Sequence, residues 1–107
     1  MTDQRQLYRV AINRTGQVRR GRQAYSCLVI DLTEHGVRLQ AEGAFTAGEE
    51  LHLEFALTDL DPLACTIQVT NRRPPYMGAA IIQMASDQQK RLSSFIEQVN
   101  ALNMIGF

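Results

Sequence analysis

Asp31, Thr33 and Gly36 fall within the stretch VIDLTEHGVRL, residues 29–39, between two apolar runs. A carboxylate accepts hydrogen bonds and a hydroxyl both donates and accepts. Glycine lets the backbone turn and admits a ligand without a Cβ. The same three residue types are also ordinary turn formers. A second candidate group lies upstream in RQLYR, where Arg5 and Arg9 are separated by three residues. A guanidinium presents a planar fork that fits phosphates and base edges, which an ammonium cannot copy. The chain favours that fork, with ten arginines against one lysine. Taken by themselves, these residues read either as the two halves of a nucleotide site or as a hairpin turn preceded by a solvated basic tail.

Other chemistry finds no support. No serine, cysteine or lysine stands in a recognisable nucleophile setting, and there is no glycine-rich phosphate loop. The remaining carboxylates scatter over strand faces and turns, so no catalytic residues are assigned and the chain does not read as an enzyme. His35 and His52 have no companions at a metal-ligand spacing, so neither a metal nor a cofactor is expected. Cys27 and Cys65 lie in apolar, strand-like stretches, where thiols are usually small buried hydrophobes.

The charge is zero overall but unevenly spread. Residues 1–38 hold seven arginines against three acids, whereas residues 39–107 hold four basic and eight acidic residues. A basic front end on an acidic remainder points to a local anionic partner and away from general nucleic-acid affinity. Few aromatics stand on the strand faces for base stacking, which also speaks against a nucleic-acid partner. No apolar run approaches the length needed to cross a bilayer, and the start, MTDQRQLYR, lacks a signal-peptide apolar region. A cytoplasmic protein without membrane insertion is the expectation.

The elements that must position these residues are mostly strands. After a polar arm (1–9, carrying Arg5 and Arg9) and a brief apolar stretch, YRVAI, a turn is expected at residues 14–16. VRRGRQ then reads as a hairpin end, AYSCLVIDL as a central strand, and VRLQA as a short alternating one. In GEELHLEFAL, Leu51, Leu53 and Phe55 alternate with His52 and Glu54, the period of a half-buried strand. LACTIQVT alternates likewise, NRRPPY reads as a loop, and MGAAIIQM as the last strand. Leu92, Phe95, Ile96, Val99 and Leu102 share one helical face over residues 86–103, and Ser86 with Gln89 has the spacing of a capping box. Six short antiparallel strands closed into a barrel, with a C-terminal helix over it, is the economical plan, since closure removes exposed edges.

Arg-x-x-x-Arg followed by Asp-x-Thr-x-x-Gly resembles the PilZ domain family, receptors for the bacterial second messenger cyclic di-GMP. Arg9-Val10, DLTEHGVRL, GEELHLEF, MGAAII and the closing helix resemble the family's landmarks in order, over essentially the whole chain. The resemblance implies a mainly β fold, a six-stranded antiparallel split barrel with a C-terminal helix, as a free-standing domain over residues 10–107. It also implies that the ligand is cyclic di-GMP. Arg5 and Arg9 would clamp it from a flexible arm, while Asp31, Thr33 and Gly36 form the wall that meets the arm. Ordering of that arm would relay the signal to a downstream protein partner.

This chain departs from the family's pattern in places. Threonine stands at 33 where serine is usual, and His35 where glycine is frequent. Gln4 precedes the first arginine, a position that bears on whether one or two ligand molecules bind. There is no tryptophan. Arg72 and Arg73 read as solvated loop residues, with a platform for a second guanine as the alternative role, and Arg38 as an exposed strand arginine. The alternative reading is a PilZ-like protein-interaction module that does not bind nucleotide.

Overall fold

The structure is a computed structural model that describes residues 9–58 and 61–105, with the side chains of 102–105 excepted. Arg5, Gln4 and the rest of the arm up to residue 8 lie outside the described residues. Six strands follow in order: β1 (Val10–Arg20), β2 (Gln23–Leu32), β3 (Gly36–Ala41), β4 (Glu50–Ala56), β5 (Pro62–Arg73) and β6 (Tyr76–Gln83), then the helix α1 (Ser86–Ile105). They close into a barrel in the order β1-β2-β3-β6-β5-β4, every neighbouring pair antiparallel.

Alternation does what it should in β4 and β5. Leu51, Leu53, Phe55, Cys65, Ile67 and Val69 point inward and are buried. Each large aliphatic side chain sealed from water in this way contributes roughly 1.5–3 kcal/mol. Leu92 and Ile96 of α1 enter the same core, and Phe95 and Val99 pack at its edge. The helix is tied to the start of β5, where the Ala64 amide donates to Gln88 Oε1 at 2.9 Å and Arg91 pairs with Asp61. The Gln89 amide donates to the Ala85 carbonyl at 2.9 Å. Ala85 therefore stands at the cap position, and Ser86, expected there, lies in the first turn.

Two expected breaks are absent. β1 runs unbroken through residues 14–16. Gly16 sits opposite Phe55 of β4, where an added Cβ would lie 2.7 Å from the Glu54 carbonyl oxygen. The glycine serves close approach at the seam that closes the barrel, and no turn. What disturbs the pattern of β1 is a bulge, with Ile12 and Asn13 together opposing Ile30, and Asn13 in the left-handed region at φ 48°. Asparagine is one of the few residues that enters that region readily. The NRRPPY segment is likewise not a loop throughout: pairing continues to Arg73 opposite Tyr76, and only Pro74 and Pro75 form the turn.

One end of the barrel is plugged by the connection between β3 and β4. There Phe45 packs edge-on against Tyr25, with ring centroids 5.1 Å apart, between the guanidinium groups of Arg20 and Arg72. β1 starts at the opposite end, beside the β2–β3 corner.

Candidate functional site

The β2–β3 corner is built by Thr33. Its Oγ1 accepts from the amides of His35 and Gly36, each at 3.0 Å, while its own amide donates to the Gly36 carbonyl at 2.9 Å. A hydroxyl has two acceptor positions and one proton. Both acceptor positions are engaged within the turn, so what Thr33 can still offer a ligand is a donor. His35 is exposed and outside the left-handed region, and its carbonyl accepts from the Ile81 amide at 2.8 Å. It is a plain turn residue. Gly36 also lacks a positive φ, so the backbone turn expected of it is not its task. It opens β3 opposite Ala80, where a Cβ would press on the Ala79 carbonyl oxygen at 3.1 Å. Its role is room, both for β6 and at the surface.

Asp31 reaches this surface through a register shift. Val29 pairs with Leu39 and Asp31 with Arg38, which leaves Ile30 as an extra residue in β2. Without it, Asp31 would follow Cys27 and Val29 into the core by simple alternation. The bulge turns it outward beside Arg38, as bulges near sites commonly re-aim a side chain. β5 carries a comparable shift at Thr70. The three bulges of β1, β2 and β5 meet around one groove.

That groove has a volume of about 970 Å³ and lies on the outer face of β2, β3, β6 and β5. Asp31, Thr33, Gly36 and Arg9 line it at the corner, with Arg38, Asn71, Gly78, Arg73, Tyr76 and Gln40 beyond. The size is within the range of roughly 300–1,000 Å³ that small-molecule sites occupy. Its charged lining is three arginines, Arg9, Arg38 and Arg73, around the single acid Asp31. The local field therefore favours an anion, although the chain as a whole is neutral.

Asp31 joins two of those arginines. Arg38 Nη2 donates to its Oδ2 at 2.6 Å, and Arg9 Nε stands 3.9 Å from its Oδ1. The structure thus brings four of the five expected site residues, Arg9, Asp31, Thr33 and Gly36, to one corner; the fifth, Arg5, falls outside the described residues. Arg38 is the exposed strand arginine expected, but it also lines the groove and pairs with Asp31. Nothing local in the sequence announces this, because strict alternation would put Asp31 and Arg38 on opposite faces. The basic front end is not one patch either. Arg19, Arg20 and Arg22 sit at the β1–β2 hairpin, and Arg20 is committed to Glu49.

Arg72 is not a loop residue. It donates to the carbonyls of Ala41 and Gly43 at 3.1 and 2.7 Å and covers the Phe45 ring. Cys27 and Cys65 are both buried free thiols. Burial pushes Cys27 up to about 11, partly offset by a hydrogen bond to the Gly16 backbone, and Cys65 up to about 12. No cluster of three metal-ligating side chains occurs among the described residues, nor does any helix there have the length and apolarity to cross a membrane.

A closed six-stranded antiparallel barrel with a terminal helix carries an anion-favouring groove at its β2–β3 corner, and the chain belongs to the PilZ domain family. The model of that family, described as PilZ domain, matches residues 3–98. The fold is similar to that of the Bacillus subtilis inhibitor of motility MotI/DgrA, with a TM-score of 0.77 at 18% identity. That likeness covers 94% of this chain and 52% of the other, so the chain spans about half the length of that protein. No curated protein matches the chain.

Proposed function

We propose that the groove binds cyclic di-GMP and that the protein is a receptor, not an enzyme, acting in the cytoplasm on a protein partner. The observation that carries this reading is the meeting of Arg9 and Asp31 at the mouth of an anion-favouring groove, in a chain of the PilZ family. The ligand has two phosphodiesters and two guanines. Arginine's fork can take a phosphate or the O6 and N7 edge of guanine. Asp31 accepts from the guanine N–H groups, which a bare phosphate lacks. The remaining hydroxyl proton of Thr33 points the same way, since a donor suits a phosphate or carbonyl oxygen.

In this reading Arg5 joins Arg9 as the clamp of an arm formed by residues 1–9. Ligand binding orders the arm against the barrel and changes the surface offered to the partner. Isothermal titration of the protein with cyclic di-GMP tests the first half. Saturable heat at tens of micromolar ligand, lost in Arg9→Ala, is expected; no heat overturns it.

A second reading, an interaction module that has no use for nucleotide, draws on one observation. Asp31 bonded to Arg38 and Thr33 closing its turn each have a structural task without a ligand. Partner capture unchanged in Arg9→Ala and indifferent to cyclic di-GMP would favour it.

A further inference from the structure

Taking a carboxylate out of water is costly unless it is paired. Asp31 has a side chain only 7% exposed, and the two cations beside it among the described residues serve it unequally. Arg38 Nη2 makes a hydrogen bond to Oδ2 at 2.6 Å, whereas Arg9 Nε approaches Oδ1 only to 3.9 Å. The acid is held from the sheet and merely neighboured from the arm.

The sheet explains the inequality. The extra residue Ile30 sets Asp31 directly opposite Arg38 on the outer face, so the strand register fixes the distance between their backbones. Cross-strand pairs of opposite charge are a standard unit of sheet stabilisation. Arg9 precedes β1 and lacks that constraint. Arg38 is nevertheless half exposed and lines the groove, so its charge also faces whatever binds there.

We infer that Arg38 is the positioning residue of Asp31: by holding Oδ2 it fixes the carboxylate and leaves Oδ1 as the acceptor turned toward Arg9 and the ligand. This rests on the nucleotide reading of the groove. Base selectivity then depends on a residue that neither the arginine pair nor the acid–hydroxyl–glycine pattern contains. Without Arg38, the remaining cation at Asp31 among the described residues is Arg9. The arm's arginine is then drawn into neutralising the acid and is diverted from the ligand.

The test has two arms. Without nucleotide, side-chain ¹⁵N NMR of the wild type shows slowed rotation of the Arg38 guanidinium, and Asp31→Asn releases it. Equal mobility in both proteins overturns the attachment. With cyclic di-GMP and cyclic di-AMP as probes, Arg38→Ala weakens cyclic di-GMP binding about tenfold and narrows its preference over the adenine analogue, as expected when a charged group loses a hydrogen-bond partner. In an Asp31→Asn background the same change adds no further loss. Arg38→Lys restores most of the affinity, because the observed contact uses one donor and not the fork. Additive losses in the double variant, or a lysine variant as weak as alanine, overturn the positioning role in favour of direct contact with the ligand. Thermal melts of all variants verify that they are folded, and Arg38→Gln replaces Arg38→Ala if that variant is not. A wild-type protein that binds neither nucleotide overturns the nucleotide reading, and the first arm still decides whether Arg38 holds Asp31.

Discussion

At the plugged end of the barrel, two arginines flank Phe45 and spend their donors on the protein. Arg20 bonds Glu49 and the Ala44 carbonyl, and Arg72 bonds the carbonyls of Ala41 and Gly43. At the end where β1 begins, two arginines flank Asp31 and spend little. Arg38 makes one bond to it, and Arg9, 62% exposed, stands at ion-pair distance. The residue types are nearly the same in both places. What separates the structural clamp from the candidate binding site is how far the guanidinium donors are satisfied by described residues, and whether the group between the two arginines is a core ring or an acid facing a groove.

That contrast can be broken most forcefully at Phe45. Phe45→Ala should cost about 3–5 kcal/mol of stability, as other buried phenylalanines do, read from urea unfolding. The folded fraction should bind cyclic di-GMP as the wild type does. Loss of binding in protein that remains folded would show that the two ends are not independent. At the open end the effects should reverse. Arg9→Lys should lose about 1–3 kcal/mol of ligand binding, the worth of a bidentate pairing, and move stability by no more than about 0.5 kcal/mol. Calorimetry and the same urea titration measure both, and equal affinity would undercut pairing by the fork.

A smaller effect separates the ends by pH. The hydrogen bond from Arg20, aided by the Thr46 amide and opposed by some desolvation, holds the Glu49 carboxyl below its usual range. A carboxyl lowered in the folded state stabilises above its unfolded value, and that contribution is lost as pH falls through the lowered one. Acid titration of stability should therefore be shallower in Glu49→Gln than in the wild type, with the two converging at the acid limit. The pair is still partly open to solvent, so the difference should be slight. The smallest expected effect is none at all: Cys27 and Cys65 should resist a thiol reagent at neutral pH until the protein is unfolded. Fast labelling of the native protein would mean that the barrel opens more readily than its packing implies.

The strands with one buried face were legible because period two survives in them. Leu51, Leu53 and Phe55 in β4, and Cys65, Ile67 and Val69 in β5, point where alternation sends them. The helical face around Leu92 and Ile96 was equally plain. The bulges were not legible, and they govern the site. Asn13 hid the continuity of β1, since a local two-for-one pairing looks in sequence like the end of a strand. Ile30 hid the partnership of Asp31 with Arg38, since an inserted residue is visible only against the neighbouring strand. Arg72 looked like a loop residue because its partners, the carbonyls of Ala41 and Gly43, lie about thirty positions away and come near only through barrel closure. The corner itself, Asp31, Thr33 and Gly36, was found by residue type and spacing. The division of labour within it, with Thr33 closing the turn and Gly36 giving room to β6, needed the backbone.

Amide NMR of the isotopically labelled protein titrated with cyclic di-GMP addresses the proposed nucleotide site most directly. The account predicts saturable shifts concentrated at Arg9, at residues 31–38 and at Gly78, with the plugged end around Phe45 unmoved. A spectrum unchanged at saturating nucleotide, or shifts gathered at the separate cleft beside Gly16, Glu54 and Gln88, would contradict it.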